Sequence, residues 1–270
     1  MFSDQMEFRK KYKLPISVTI LTKNSAKYLQ EVLQALELFD EVLIYDNGSE
    51  DATLAIAQQF SNISTHLGPF YGFGPTHNGA SNLAKNGWIL SIDSDEVVTP
   101  ALAEEIAAIA LQRHSVYSIA RNNYYNGKWI RWCGWYPDRQ VRLYHRADSC
   151  FSSDQVHEGV VTQGLTVIPL SSPIRHYSYA CTADFLAKMQ HYSSLFAEQN
   201  SGKKRATVFS AIGHALFAFF KSYFLKRGLL GGYEGFVISI YNSNTALYKY
   251  LKLREYNKKN LNNYKKGGIS

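Results

Sequence analysis

The feature that most constrains the fold is a strand–turn–helix pattern that recurs in the first hundred residues. Residues 16–22 (ISVTILT) are apolar and β-branched, and they precede a segment in which Leu29, Val32, Leu33 and Leu36 have helical spacing. The pattern recurs with the strand EVLIY and the helix EDATLAIAQQF, and further strands are predicted at ISTHL and WILSI. Such repetition is typical of parallel β-α-β units, so the sequence predicts an α/β fold.

Helix starts and loops around the fourth strand are also predicted. Ser49 is a candidate N-cap for the helix EDATLAIAQQF, and Thr99 is one for the helix ALAEEIAAIALQ, with Pro100 at its first position. The stretch GPFYGFGPTHNG is rich in glycine, so we predict a loop there, followed by a short helix ASNLAKN.

Acidic residues follow two of these strands at the position where α/β sheets bind ligands. Asp46 comes directly after the second strand, and Asp93 and Asp95 follow the fourth, at the carboxyl ends of the strands. Alternate residues of an extended segment point to the same side, so Asp93 and Asp95 would bring two like charges together unless a cation compensates them. Carboxylate oxygens suit Mg²⁺ or Mn²⁺ bound with nucleotide phosphates. The pattern predicts a metal–diphosphate site, although Asp46 has the alternative of only starting a DNGS turn.

The rest of the chain differs from this beginning. Residues 115–178 are aromatic and Arg-rich, with strand-like pieces such as QVRLYHR and LTVIPL, which we interpret as antiparallel additions that make the central sheet mixed. From about Thr182 the sequence is helical. The predicted domains are therefore an α/β domain over residues 1–180 and an α-helical C-terminal region over residues 181–270.

The C-terminal region is basic and contains one long apolar run. From Lys203 onward 13 Lys and Arg residues stand against two Glu residues, a net charge of +11, whereas the remainder carries −4. The apolar run 206–220 has 15 residues and ends at Lys221, while a membrane span needs about 20. We therefore expect helices that lie in a membrane interface, with their basic residues at the lipid headgroups. The alternative is that they close the protein core or form a dimer contact.

The beginning of the chain and its cysteines bear on the cellular compartment. The stretch MFSDQMEFRKKYKLP lacks the apolar segment of a signal peptide. Cys133, Cys150 and Cys181 are odd in number and widely spaced, which favours a reducing compartment over a disulfide framework or a zinc site. Both observations predict a cytoplasmic protein.

Short motifs in a fixed order resemble those of the family 2 glycosyltransferases, which have the GT-A fold. These motifs are PISVTILTKN, EVLIYDNGSEDAT, THNGASNLAKNGWILSIDSDE and WYPDRQVRLYHR, followed by VHEG and RHYS. The chain looks most like the subgroup that adds β-1,4-linked glucose to the inner core of lipopolysaccharide or lipooligosaccharide. The resemblance implies a metal-dependent, inverting transfer of a hexose, expected to be glucose, from UDP-glucose to a lipid-linked saccharide at the cytoplasmic face of the inner membrane.

The resemblance also implies roles for individual residues. Asp93 would bind the ribose, Asp95 and His176 would bind Mg²⁺ or Mn²⁺, and Glu158 of VHEG would be the general base. The other nucleotide-sugar contacts would be Thr22, Asn24, Asp46 and Asn78.

The chemistry of transfer adds three candidates and leaves alternatives open. Arg139 and Arg142 are candidates for bidentate contacts to phosphate oxygens. Asp138 is an alternative base, and His176 has the alternative of a purely structural hydrogen bond. Glu96 is expected to orient the strand end or to touch the acceptor.

Two other functions remain open at this point. A nucleotidyltransferase acting on sugar phosphates would use the same nucleotide site and release pyrophosphate, but the beginning of the chain has no Gly-rich, Lys-bearing phosphate loop. A non-enzymatic peripheral membrane-binding protein is the second alternative. A nucleic-acid partner is not expected, because the basic excess accompanies apolar runs rather than a shared aromatic and basic surface.

Overall fold

The structure is a computed structural model that describes residues 13–153 and 158–267, with side chains described through residue 259. The expectation about the first residues of the chain lies outside this range. The described residues divide into two compact units, the first formed by residues up to Asn122 with Asp138–His176, and the second by Asn123–Pro137 with the residues from Tyr177 onward.

The elements follow one another in a β-α order at first and then in an all-helical order. The strands are β1 (Leu14–Thr22), β2 (Phe39–Asp46), β3 (Ile63–Leu67), β4 (Trp88–Asp93), β5 (Glu96–Val98), β6 (Ser115–Tyr125), β7 (Lys128–Trp129), β8 (Arg139–His145), β9 (Thr166–Pro169) and β10 (Ile174–Tyr179). The helices are α1 (Ala26–Gln34), α2 (Thr53–Ala57), α3 (Phe73–Leu83), α4 (Pro100–Ala108), α5 (Thr182–Asn200), α6 (Val208–Phe220) and α7 (Gly232–Gly267). A π-helical turn (Lys221–Leu225) and a 3₁₀ turn (Gly228–Gly231) join α6 to α7.

The central sheet is mixed, as the sequence predicts. Its strand order is β3-β2-β1-β4-β8-β6-β10-β5, with β7 and β9 also paired to β6. Strands β1 to β4 are parallel, and β8 is antiparallel to both β4 and β6. The prediction is wrong for LTVIPL, because β9 runs parallel to β6. The connection from β6 to β9, residues 126–165, is long enough for the crossover that a parallel pair requires.

The helix boundaries show where local signals succeed and fail. Thr99 caps α4 as predicted, since its hydroxyl accepts from the Leu102 amide at 3.2 Å. The predicted Gly-rich loop is wrong at its end, because α3 already begins at Phe73. Pro75 is tolerated in the first turn of this helix, where its missing N–H needs no partner. The predicted cap at Ser49 is also wrong, because α2 begins only at Thr53.

The core of the first unit lies around β1 and its neighbours. Val18, Ile20, Ile44 and Leu90 are fully buried, because strands flank β1 on both edges and helices cover the sheet. This packing fixes the strand ends.

The second unit is helical and rich in aromatic residues. Tyr125, Ile130, Phe185 and Ile238 form its buried cluster. Because the helical backbone continues beyond the predicted apolar run, through the π-helical turn, one segment of the described residues, Val208–Leu225, is long and apolar enough to cross a membrane by length and composition. Core helices of soluble proteins can be equally long and apolar, but they are mostly buried, whereas only 17% of this segment is buried.

Candidate active site

The carboxyl ends of three parallel strands meet at one edge of the sheet in the first unit. In the strand register Thr22 lies opposite Asp46, and Leu21 lies opposite Asp93. The loops that follow are also joined, since the hydroxyls of Ser94 and Ser25 are 3.0 Å apart. The acidic residues that follow β2 and β4 in the sequence are thus brought to the same edge.

Asp46 holds this edge together from a buried position. Its carboxylate accepts hydrogen bonds from the Thr22 hydroxyl (2.8 Å) and from the amides of Gly48 (3.0 Å) and Ser49 (2.8 Å). Burial opposes ionisation, but a hydrogen bond from the Ser49 hydroxyl, together with these three, outweighs it and holds the pKa of Asp46 below its usual range. Thr22 and Asp46 are 1% and 0% exposed, so in this structure they shape the turn. Their nucleotide contacts stay predictions.

Asn24 links the first loop to the second and remains exposed. Its side-chain oxygen accepts from the backbone N–H of Glu50 at 2.8 Å, and its backbone N–H donates to the Ser49 hydroxyl at 2.9 Å. The left-handed backbone of Asn24 (φ 53°) turns the chain sharply after β1, a conformation that Asn tolerates. The predicted nucleotide-binding loop is therefore fixed by hydrogen bonds.

A buried arginine separates Asp93 from Glu96. Arg142 is 7% exposed, and its Nη2 atom lies 2.6 Å from the Asp93 carboxylate and 2.5 Å from that of Glu96. Desolvation opposes ionisation of Asp93, but Arg142 and two nearby histidines hold the pKa of that carboxyl below its usual range. Burial raises the pKa of Glu96, and the negative charge of Asp93 raises it further. Together they outweigh the two arginines, Arg142 and Arg121, which lower it. Arg142 is thus engaged inside the protein, and its phosphate contact stays a prediction.

A second arginine extends the cluster to Asp138. Arg121 Nη2 lies 2.8 Å from Asp138, while its Nη1 atom lies 3.4 Å from Glu96. The candidate base Asp138 therefore already has a cationic partner. Arg139 makes different contacts, because its guanidinium donates to the backbone carbonyls of Ser118 (3.0 Å) and Leu170 (2.9 Å). Its phosphate contact also stays a prediction.

Asp95 and His176 are adjacent although 80 residues separate them in the sequence. Strand β10 pairs antiparallel with β5 and places His176 opposite Glu96 in the register. His176 Nε2 then lies 3.6 Å from Asp95 Oδ1, with the two side chains 14% and 35% exposed. A carboxylate oxygen and an imidazole nitrogen at one accessible point are a pair that can share a divalent cation.

Asn78 and Glu158 belong to one arrangement around α3. The Asn78 side chain pairs with the backbone of Phe151, donating at 2.9 Å and accepting at 2.8 Å. Phe151 bridges Val160, so this contact anchors the segment that carries Glu158. Glu158 is half-buried and packs beside Gly74 in the first turn of α3. Asn78 thus acts on Glu158 through the backbone, and its nucleotide contact stays a prediction.

His77 is a buried histidine at this site, and it gives a pH test of the fold. It is 4% exposed, stacks on Phe151 and lies 3.2 Å from the Ser91 hydroxyl. Burial lowers its pKa to about 4, whereas an unfolded histidine titrates near 6.5. Between these two pKa values, His77 is therefore protonated in the unfolded chain but neutral in the native protein. We expect this difference in proton uptake at His77 to lower the free energy of unfolding by about 2 kcal/mol between pH 7 and pH 5.

The measurement is urea unfolding at both pH values. His77→Gln should lose about 2 kcal/mol less than the wild type over this interval, whereas His191→Gln, at an exposed position, should match the wild type. An unchanged pH dependence in His77→Gln would contradict the buried, neutral state.

The structure adds Arg121 and the pairing role of Glu96 to the residues that the sequence indicated. A signal for Arg121 was available, because a charged residue in the otherwise apolar strand segment VYSIAR requires a buried partner. The sequence gives no means of choosing that partner among the acidic residues.

Comparison with known proteins places the chain in a family. The sequence model of "Glycosyl transferase family 2" matches residues 17–159, more than half of the chain. The chain belongs to glycosyl transferase family 2. The predicted family and its GT-A type of α/β fold are thereby confirmed, and the transferase class with them.

Relatives of this family 2 glycosyltransferase extend over most of its length. An uncharacterized glycosyltransferase of Rickettsia felis is 28% identical over 260 residues, which cover 89% of each chain. The lipopolysaccharide core biosynthesis glycosyltransferase LpsC of Rhizobium meliloti is 27% identical, over 87% of this chain and 91% of LpsC. Among solved structures, that of S. aureus TarS 1-349 in complex with UDP-GlcNAc has a TM-score of 0.46 and 17% identity, covering 94% of this chain and 92% of that one.

Proposed function

We propose that this glycosyltransferase moves a hexose, glucose, from UDP-glucose to a lipid-linked saccharide such as the lipopolysaccharide inner core, with inversion and with the help of Mg²⁺ or Mn²⁺. The observation that carries the proposal is the pair Asp95 and His176 at the strand end, beside the ion-paired Asp93. The name of the relative LpsC supports the acceptor class.

The residues present fit a divalent ion that is bound together with a nucleotide. Among the described residues no group of three or more His, Cys, Asp or Glu side chains could hold a metal by itself. Asp95 and His176 are two ligands, and Mg²⁺ typically completes its shell with substrate phosphates and water. When bound there, the ion would stabilise the negative charge that develops on the departing diphosphate.

Side chains of the protein accept the proton and bind the ribose during transfer. Glu158 accepts the proton of the acceptor hydroxyl as that oxygen bonds to the anomeric carbon. The bond from this carbon to the diphosphate breaks on the opposite face, which inverts the configuration and releases UDP. Asp93, kept ionised by Arg142, accepts hydrogen bonds from the ribose hydroxyls.

Contact with the cytoplasmic face of the inner membrane is part of the proposal. Helix α6 and the turns after it leave large apolar side chains in contact with solvent, including Phe209 (87% exposed), Leu216 (67%), Phe217 (60%) and Leu225 (61%). Exposed apolar surface of this kind, in a region of net charge +11, suits an anionic lipid surface.

The transfer reaction is tested with a panel of nucleotide sugars. UDP-glucose with Mn²⁺ should raise the melting temperature more than other nucleotide sugars do, and chelation of the metal should remove most of the shift. Incubation with acceptor should release UDP. Release of pyrophosphate would point instead to nucleotidyl transfer, and no stabilisation by any UDP-sugar would overturn the proposal.

The same assay locates the base by comparing Glu158→Gln with Asp138→Asn. We expect Glu158→Gln to lower kcat about 100-fold while donor binding stays unchanged, since a general base contributes at least this much. Asp138→Asn should have the smaller effect on kcat, because Asp138 is paired with Arg121. A larger loss of kcat in Asp138→Asn than in Glu158→Gln would identify Asp138 as the base.

A further inference from the structure

The second unit contains a cavity of about 340 Å³, and none of the candidate residues for sugar transfer lines it. Its volume falls within the range of roughly 300–1,000 Å³ that is typical of small-molecule sites. The cavity lies where α6 passes into the π-helical turn. The lining residues are Cys133, Gly134, Ala218, Lys221, Ser222, Lys226 and Asn242.

The charge of this lining is entirely positive. Lys221 and Lys226 are its only ionisable groups besides the Cys133 thiol, whose pKa burial raises. Neither lysine is ion-paired with a carboxylate within the described part of the chain. A hydrogen bond of 2.8 Å from the Lys226 backbone N–H to the Lys221 carbonyl joins the two residues across the π-helical turn. Two cations that line one cavity without a counter-charge favour the binding of an anion there.

The floor of the cavity is polar and ordered. Ser222 is 4% exposed, and its hydroxyl oxygen accepts from the Ser239 hydroxyl and from the Asn242 amide, each at 3.0 Å. The backbone around the cavity departs from regular helix, with the π-helical turn on one side and left-handed Cys133 (φ 61°) on the other. Departures of this kind are frequent at binding sites.

Apolar side chains adjoin the lysines along the same helical segment. Phe217 and Phe220 precede Lys221, and Phe224 and Leu225 precede Lys226, and all four are exposed by 48% or more. An anion bound in the cavity would therefore lie next to a surface suited to hydrocarbon chains.

We propose that this cavity binds the phosphate group of a lipid, with Lys221 and Lys226 as the cationic contacts. The ammonium groups pair with the phosphate oxygens, and the exposed phenylalanines contact the acyl chains. The lipid source rests on the membrane contact proposed above, whereas the phosphate site itself depends on neither that contact nor the transfer reaction.

The experiment measures binding to the full chain without a membrane surface. Dihexanoyl phosphatidic acid below its micelle concentration is titrated calorimetrically into the wild type, into Lys221→Gln/Lys226→Gln and into Lys203→Gln/Lys204→Gln. The last variant removes the same charge from the second unit outside the cavity lining. The cavity variant should bind at least about tenfold more weakly, while the control should stay within about twofold. Equal affinities in all three proteins, or equal losses in both variants, would overturn the site.

Two further titrations identify the source of the phosphate and separate this proposal from the first. Dihexanoyl glycerol, which lacks phosphate, should bind at least about tenfold more weakly than the phosphatidic acid. Inorganic phosphate should also bind more weakly, and equal affinity would overturn the lipid source and leave a free-phosphate site. The cavity variant should keep its stabilisation by UDP-glucose and Mn²⁺, which shows that its fold is intact. If no UDP-sugar binds the wild type, the transfer proposal fails while the phosphate titration still decides the cavity.

Discussion

Replacing Asp95 with alanine is expected to lower kcat/KM for sugar transfer by about 1,000-fold or more. The Asp95 carboxylate lies 3.6 Å from His176 Nε2 at the strand end. Its loss removes the anionic ligand that would fix the divalent ion against the diphosphate, and a positioned metal contributes several kcal/mol to such a transition state. The assay is the rate of UDP release at saturating acceptor, measured across a range of Mn²⁺ concentrations.

The expected defect is chemical rather than structural. Asp95 is 35% exposed, so its removal should leave the melting temperature nearly unchanged. Asp40→Ala is a suitable control, because Asp40 lies at the amino end of β2 and pairs with Lys85, away from the strand ends that carry the site. That variant should retain activity. A wild-type rate of UDP release in Asp95→Ala would show that the metal binds elsewhere or that the reaction does not need it.

The sequence was sufficient for the part of this site that follows from local pattern. Strand periodicity places Asp46 and Asp93 at strand ends, and parallel pairing brings those ends to one edge of the sheet. His176 was indicated only through the family resemblance, since no local rule shows that β10 pairs with β5. The structure supplies that long-range register, and with it the 3.6 Å approach to Asp95.

Arg139 and Arg142 show why the side-chain contacts of the site could not be predicted from the sequence. Arg139 and Arg142 are three residues apart in the sequence, and both suit phosphate by chemistry. In the structure Arg139 is exposed and bonded to two carbonyls, whereas Arg142 is buried between two carboxylates. Alternation along β8 predicts that residues three apart point to opposite faces, but it does not show which of the two faces the rest of the protein buries. The start of α3 at Phe73 was missed for a related reason, since glycine and proline are ambiguous near a helix start.

Arg142→Met is expected to lower the free energy of unfolding by about 3–5 kcal/mol at pH 8, the cost typical of removing one partner from a buried ion pair. The substitution keeps much of the side-chain volume but leaves Glu96, which is 0% exposed, without its 2.5 Å partner. Lys85→Met is the matched control. Lys85 also pairs with a carboxylate, that of Asp40 at 2.9 Å, but the two side chains are 66% and 26% exposed. Its removal should cost no more than about 1 kcal/mol.

The pH dependence of that loss identifies the buried charge as its cause. Without Arg142, Glu96 can escape the cost of burial by taking up a proton, since burial already raises its pKa. The destabilisation of Arg142→Met should therefore shrink between pH 8 and pH 5. Glu96→Gln added to Arg142→Met removes the titrating group, so the double variant should recover part of the lost stability at pH 8 and lose this pH dependence. Urea unfolding of the three variants and the wild type at both pH values measures these differences. If Arg142→Met costs no more than Lys85→Met, the ion pairs of Arg142 contribute little to the free energy of unfolding.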